Sequence, residues 1–190
     1  MTPIVPHNAL ELMNIAASIA RQAGDLVATG RVRGTGNVDI KSSPTDVVTQ
    51  WDQASESLIV ERLEHLRPND SVLGEEGTQT PGTSGITWLV DPIDGTSNFV
   101  RGVPVWASLI ALVHDNVPVL GVVSAPAMRM RWWAHASGGA FFNGDKIRVS
   151  DIGELRRASL SITVNKYWHD VDPDGMLENL QRNVSRVRGY

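Results

Sequence analysis

Cysteine is missing altogether from the 190 residues. No disulfide framework can staple the chain and no thiolate can bind a metal, which fits a reducing cytoplasm. Positive charge is not in excess either: seventeen Lys and Arg face twenty-one Asp and Glu, for a formal net charge of -4. With a pI near 5.7, the chain lacks the electrostatic footprint that a nucleic-acid backbone requires, and no nucleic-acid partner is expected. No apolar run reaches the length of a bilayer span. No basic stretch leads into an apolar one at the N-terminus, so neither membrane association nor a signal peptide is expected. Repeats, low-complexity tracts, a P-loop and a Ser-His-Asp set are absent. The five histidines are scattered without ligand spacing. Gly138-Gly139 and Asn143-Gly144 make no dinucleotide fingerprint, because no helix is predicted behind them.

What is there is an ordinary globular balance, 42% hydrophobic and 20% charged, in a chain long enough for one large domain or one and a half smaller ones. Asn8 and Glu11 read as a capping box. Leu10, Met13, Ala17, Ala20, Ala23 and Val27 then recur at helical spacing, predicting an amphipathic helix over 9–29 that ends in a loop at Gly30, Gly34 and Gly36. Thr49 caps a second helix with Ala54, Leu58, Ile59 and Leu63 on one face, and Arg67-Pro68-Asn69-Asp70 stops it. Ser71-Val72-Leu73 is a short strand, and 77–85 reads as a mobile loop. Strands are predicted over 86–90, 105–113, 117–125 and 130–136. A hairpin follows, with Asn143-Gly144 between 140–142 and 146–149. Consecutive strands of this kind predict an antiparallel meander. A strand over 160–164, a helix over 176–183 and a strand from 184 complete the reading. Trp132 and Trp133 are expected on opposite sides of their strand.

One stretch stands out: Trp88-Leu89-Val90-Asp91-Pro92-Ile93-Asp94-Gly95-Thr96-Ser97-Asn98-Phe99. An apolar run ends on Asp91, Pro92 is expected to force a turn, and Asp94 follows three residues on. Gly95 and Thr96 come where a chain can bend and present N–H groups. Two acids and a glycine turn at a strand end suit a hard cation and a phosphate. They equally suit an Asx turn without chemistry. Asp52, in the first turn of its helix, reads first as a residue favouring the helix dipole. Glu75 and Glu76 read as solvated, unless one points inward and needs a cation.

Taken together, Thr49-Gln50-Trp51-Asp52, Gly74-Glu75-Glu76 and Asp91-Pro92-Ile93-Asp94-Gly95-Thr96 resemble the inositol monophosphatase family of Mg²⁺-dependent, lithium-sensitive phosphomonoesterases. The ordered set carries the resemblance, and Asp-Pro-Ile-Asp-Gly-Thr with Asn98-Phe99 is its most specific part. The similarity runs from the first helix to the end of the chain. It includes Lys41-Ser42-Ser43-Pro44 and Gly139-Ala140-Phe141-Phe142-Asn143-Gly144. The resemblance implies an α/β (α+β) fold, the layered αβαβα sandwich of the inositol monophosphatase/fructose-1,6-bisphosphatase type. Residues 1–150 would form an α+β domain, with two helices against an antiparallel sheet and the metal site, and 151–190 the start of a second α/β domain. It further implies two or three Mg²⁺, held by Glu75, Asp91, the Ile93 carbonyl and Asp94. Asp52, Glu75 and Thr96 would be catalytic, with Thr96 orienting a metal-activated water and Asp52 behind it. Asp94 with the Gly95 and Thr96 amides would bind substrate. A homodimer is expected, as in the family.

Two departures accompany the resemblance. Trp51 stands where the family usually has a smaller residue. The family also continues to a Trp-Asp motif that completes a second metal site, whereas this sequence stops at Arg188-Gly189-Tyr190. The sequence is therefore expected to be C-terminally truncated, binding a first Mg²⁺ but turning over poorly. The substrate reading is a small phosphorylated alcohol. Arg101-Gly102-Val103-Pro104-Val105-Trp106 and Arg131-Trp132-Trp133-Ala134 look most like the family's histidinol-phosphate phosphatases. Lys41-Ser42-Ser43-Pro44-Thr45-Asp46 is closer to its inositol-phosphate enzymes. A bisphosphate or nucleotide phosphatase of the same superfamily, and a non-catalytic metal-binding or protein-interaction module, are the rival readings.

Overall fold

A computed structural model describes residues 9–41, 47–162, 172 and 175–189. The cap at Asn8, the segment 42–46 and the end of the strand predicted over 160–164 lie outside the described residues. The chain divides into two compact units, Met1–Arg148 and Val149–Tyr190.

The first unit is built on an eight-stranded sheet. Its order is β10-β9-β8-β7-β6-β5-β3-β4, from Asp145–Ile147 (β10), Gly139–Phe142 (β9), Met130–His135 (β8), Val117–Ala125 (β7), Ala107–His114 (β6), Ile86–Asp94 (β5), Ser71–Gly74 (β3) and Gln79–Thr80 (β4). Consecutive strands from β5 to β10 pair antiparallel, the predicted meander. The sheet is mixed rather than antiparallel throughout, because β3 runs parallel to β5. Helix α2 (Gln50–Leu66) precedes β3, and residues 75–85 return the chain to the end where β5 begins. The segment predicted as a mobile loop therefore holds β4, and the Gly82 N–H donates to Ser71 Oγ at 2.8 Å. A separate two-stranded piece pairs Val38–Ile40 (β1) with Val47–Thr49 (β2).

Helix α1 (Ala9–Arg33) and α2 supply the apolar faces that meet the sheet, joining Leu12, Ile19, Ile59, Leu63, Trp88, Ile110, Leu112 and Val122 in one core. Removing such side chains from water is the main favourable term in folding. Helix α1 runs four residues past its expected end. Gly30 does not terminate it: the Trp51 ring lies where a Gly30 Cβ would stand, 2.5 Å from that position. Gly30 is thus a packing glycine inside the helix, and it makes room for the large residue beside Asp52. Leu10 was expected on the apolar face but is exposed.

Two β-strand expectations shift for one reason each. Strand β6 begins at Ala107, not 105, because Val105 lies outside the ladder and is exposed. Strand β5 does not stop at Val90. Pro92 makes no turn; it sits in a bulge, where its missing N–H leaves no ladder bond unmade. The β6–β7 hairpin turns on Asp115 and Asn116, both at positive φ, and Asn143-Gly144 turns the β9–β10 hairpin likewise. Trp132 packs on Phe142 and Trp133 on Phe141, opposite each other across the ladder, as the alternation of a strand requires.

In the second unit, Ser159–Ser161 (β11) pairs parallel with Arg186–Arg188 (β12). Helix α4 (Met176–Asn183) begins with its Met176 and Leu177 amides donating to the Asp172 carboxylate, both at 2.7 Å.

Candidate active site

The parallel pairing of β3 and β5 places two acids side by side. Gly74 pairs with Val90, so Glu75 and Asp91 are the next residues beyond that pair. The Glu75 N–H continues the ladder to the Val90 carbonyl at 3.0 Å. Asp94 joins them through the bulge. In a regular strand, residues three apart point to opposite faces. Between Asp91↔Leu109 and Asp94↔Ala107, β5 spends one residue more than β6, and the extra residue re-aims the chain. The buried Ser108 hydroxyl pins the bulge by donating to the Pro92 carbonyl at 2.8 Å. As a result Glu75, Asp91, Ile93, Asp94, Gly95 and Thr96 line one cavity of about 270 Å³.

The turn expected at Pro92 occurs at Gly95, whose φ of 86 is left-handed and opens α3 (Thr96–Arg101). A side chain there is excluded twice: by that φ and by the Val105 carbonyl, 3.0 Å from a would-be Cβ.

Asp52 arrives from the other side. It closes the capping box of α2, where Oδ2 accepts the Thr49 N–H at 2.8 Å and the Thr49 hydroxyl at 2.6 Å. Its other oxygen accepts the Thr96 hydroxyl at 3.0 Å, and that hydroxyl also lies 2.8 Å from the Ile93 carbonyl. Asp52 is only 1% exposed. The dipole role and the site position are therefore one residue's two oxygens. Trp51 does not disturb this: its indole N–H donates to the Gly34 carbonyl at 3.0 Å, away from the cavity.

The charges in the cavity are in conflict. Burial, then a hydrogen bond with Glu75 and the negative fields of Glu75, Asp94 and Asp52, push the Asp91 carboxyl up to about 8. Its Oδ1 is buried with no hydrogen-bond partner. Burial also raises Asp52, against the bonds from Thr49 and Thr96. Lys41 offsets part of the charge, with Nζ 2.8 Å from Glu76 and 3.5 Å from Glu75. Burial alone would lower Lys41; its bonds and the fields of both glutamates hold it above its ordinary value. Glu76, expected to be solvated, is largely covered, and burial pushes it up as well.

Among the described residues no three acidic, histidine or cysteine side chains already stand at the spacing of a metal cage. The donor chemistry nonetheless fits a hard cation: carboxylate oxygens with a backbone carbonyl beside them. An orphaned buried carboxylate oxygen is what a divalent ion would satisfy. A proton on Asp91 lessens the same conflict, and a hydrogen bond with Glu75 favours that protonated form. Sequence reasoning missed Thr49 as a partner of Asp52, Lys41 as the counter-charge, and Val47 and Ser97 in the lining. The S/T-x-x-D spacing of Thr49 and Asp52 was the available signal for the first. Lys41 is far from Glu75 and Glu76 in sequence, and nothing local announces the pairing.

The first unit is thus a mixed α/β layer, with acids at the ends of β3 and β5 beside a helix opened by Gly95. Residues 8–189 match the inositol monophosphatase family. A histidinol-phosphatase of Mycobacterium tuberculosis is 45% identical over 93% of this chain and 69% of its own length. A Thermotoga maritima fructose-1,6-bisphosphatase/inositol-1-monophosphatase is 34% identical over 94% of this chain and 67% of its own. Among solved structures, the extragenic suppressor protein suhB of Bartonella henselae superposes with a TM-score of 0.82 at 29% identity, covering 94% of this chain and 69% of that one. The chain belongs to the inositol monophosphatase family, and its class is that of the phosphomonoesterases.

Proposed function

We propose that the cavity lined by Glu75, Asp91, Asp94 and Thr96 hydrolyses a small phosphate monoester with Mg²⁺. The observation that carries this reading is Asp91, whose buried Oδ1 lacks a partner and whose carboxyl is pushed up to about 8 by burial and then by its acidic neighbours. Such a group is poised to exchange its proton for a cation. Glu75, Asp91, Asp94 and the Ile93 carbonyl would hold two or three ions. Mg²⁺, when bound, supplies positive charge that offsets the phosphate dianion and lowers the pKa of nearby water.

The chain's own residues do the rest. The Thr96 hydroxyl has one proton and two acceptors, Asp52 Oδ1 and the Ile93 carbonyl. Its lone pair is left to accept a hydrogen bond from the attacking water and orient it. Asp52 holds that hydroxyl in place from behind. The Gly95 and Thr96 amides would meet phosphate oxygens at the bare Gly95 turn. Asp94 and Gly95 also line a second cavity of about 240 Å³ with Trp106, Met128 and Trp132. That apolar lining suits a ring such as imidazole better than a polyol. It supports an amino-alcohol phosphate such as histidinol phosphate as substrate, with inositol 1-phosphate second. The 45% identity to a histidinol-phosphatase supports the same order. Lithium sensitivity, a cytoplasmic location and a homodimer built through the β-rich half, where Val103, Val105 and Met130 are exposed, belong to the same proposal.

The test pairs Mg²⁺ titration calorimetry with phosphate release from histidinol phosphate, inositol 1-phosphate and fructose 1,6-bisphosphate. Mg²⁺-dependent release is expected, greatest with histidinol phosphate. Asp91→Asn should lower it on the order of a thousandfold while leaving the fold. Mg²⁺ binding without release from any substrate would favour the non-catalytic module, and faster release from the bisphosphate would favour the rival phosphatase.

A further inference from the structure

Beside the site is a buried carboxylate, Glu56, that the mechanism above does not use. Glu56 lies one helical turn beyond Asp52 on the same face of α2 and is 4% exposed. Its Oε2 accepts the Glu76 N–H at 2.8 Å; its Oε1 accepts the Thr78 N–H at 3.1 Å and the Thr78 hydroxyl at 2.7 Å. All three donors are neutral and belong to the turn that carries Glu75. That turn closes on itself through the Gly74 N–H to the Thr78 carbonyl at 2.9 Å, and is tied to β5 by the Glu75 N–H to the Val90 carbonyl. The carboxylate fills the place of a side chain at residue 74: a Cβ there would lie 2.3 Å from Glu56 Cδ. A carboxylate taken out of water needs its acceptors filled, and this one is filled entirely by backbone and side chain of a single turn.

We infer that Glu56 is a positioning residue that sets where Glu75 stands relative to Asp91, so that α2 fixes both walls of the cavity. Asp52 holds Thr96 on one side; Glu56, at i+4, holds the Glu75 turn on the other. The inference rests on the Mg²⁺ reading proposed above. Partners that orient the groups around a metal typically change its affinity ten- to a hundredfold when altered.

The experiment measures Mg²⁺ affinity by titration calorimetry, with thermal melting of the same samples, for wild type, Glu56→Gln and Thr78→Val. Glu56→Gln keeps the shape but turns an amide N–H₂ toward a donor, and should weaken Mg²⁺ about tenfold. Thr78→Val removes one of the three bonds and leaves the other two, and should weaken it about threefold. In phosphate release, the loss should fall on the half-saturating Mg²⁺ concentration more than on the rate at saturation. A purely structural role would instead lower the melting temperature and leave the affinity of the folded fraction alone. Mg²⁺ affinity equal to wild type in folded Glu56→Gln overturns the inference. If that variant does not fold, unchanged affinity in Thr78→Val overturns it. A wild-type chain that binds no Mg²⁺ overturns the reading of the site, and this inference with it.

Discussion

Asp70 and Asp91 stand at opposite ends of the same parallel pair of strands, and they show two fates of a covered carboxylate. Asp70 precedes β3. It receives Arg67 Nε at 2.8 Å, the Ser84 hydroxyl at 2.7 Å and the Trp88 indole N–H at 2.9 Å. Burial alone would raise its pKa, but these bonds and the Arg67 charge hold it below the ordinary value. Asp91, beyond the other end, is raised by burial too, but it meets acids instead of an arginine, and nothing brings it back down from about 8. The two differ in neighbours rather than in residue type. Asp70 is finished as a structural group: it fastens the Trp88 ring, which is fully buried in the core. Asp91 is left with one buried oxygen, Oδ1, that no hydrogen bond satisfies.

The contrast breaks first at Asp70. Asp70→Asn removes the acceptor of an ion pair whose acid side chain is 2% exposed, and should cost about 3 kcal/mol of stability. A drop of several degrees in melting temperature, with Mg²⁺ affinity unchanged, is the expected pair of readouts. Asp91→Asn should have the opposite sign in metal-free buffer, a gain of about 1 kcal/mol, because the amide ends the conflict with Glu75 and Asp94. Adding Mg²⁺ should stabilise the wild type by mass action and leave the variant where it was. Equal destabilisation by the two substitutions would erase the distinction.

pH sharpens the same comparison. The folded pKa of Asp91 lies above the unfolded value of about 3.9, so the folded state binds the extra proton between that value and about 8. Stability from this group is full below pH 4 and is lost as pH rises toward about 8. The lowered pKa of Asp70 works in reverse: its contribution is present above about pH 3.9 and is lost as pH falls through the folded value. Chelated wild type should therefore lose stability between pH 4 and 8, measured by urea midpoints. Asp91→Asn should flatten that limb and leave the acid limb in place.

What could be read from the residues alone follows the same division. The helices, the meander and the β9–β10 hairpin turn were legible, because capping residues, apolar periodicity and an Asn-Gly pair act over a few residues. The three acidic stations were legible as a set. Their assembly was not, because it depends on a parallel pairing of β3 with β5 and on a bulge, and neither leaves a local mark. Pro92 in particular looked like a turn former; only the antiparallel neighbour β6 makes it the residue that a bulge can accept without losing a bond. Gly30 looked like a helix stop for the same reason: its function is set by Trp51, twenty-one positions on. Glu56 was invisible because its partners, Glu76 and Thr78, lie beyond the helix that carries it.

Asp52 falls between the two cases and yields the smallest effect. It is nearly as well supplied with donors as Asp70, yet burial still raises it, since Thr49 and Thr96 bring dipoles where Arg67 brings a charge. Thr49→Ala removes one of those dipoles and the acceptor of the Trp51 N–H. The loss of the cap should cost about 1 kcal/mol. The Thr49 N–H still donates to Oδ2 at 2.8 Å, so the helix start and the placement of Asp52 should survive. With a lowering bond gone, the Asp52 carboxyl should titrate at higher pH. If Asp52 acts through Thr96 as an anion, the acid limb of phosphate release should move upward with it, while the rate at high pH changes little. An acid limb that stays fixed in this variant would place the essential anion elsewhere among the acids of the cavity.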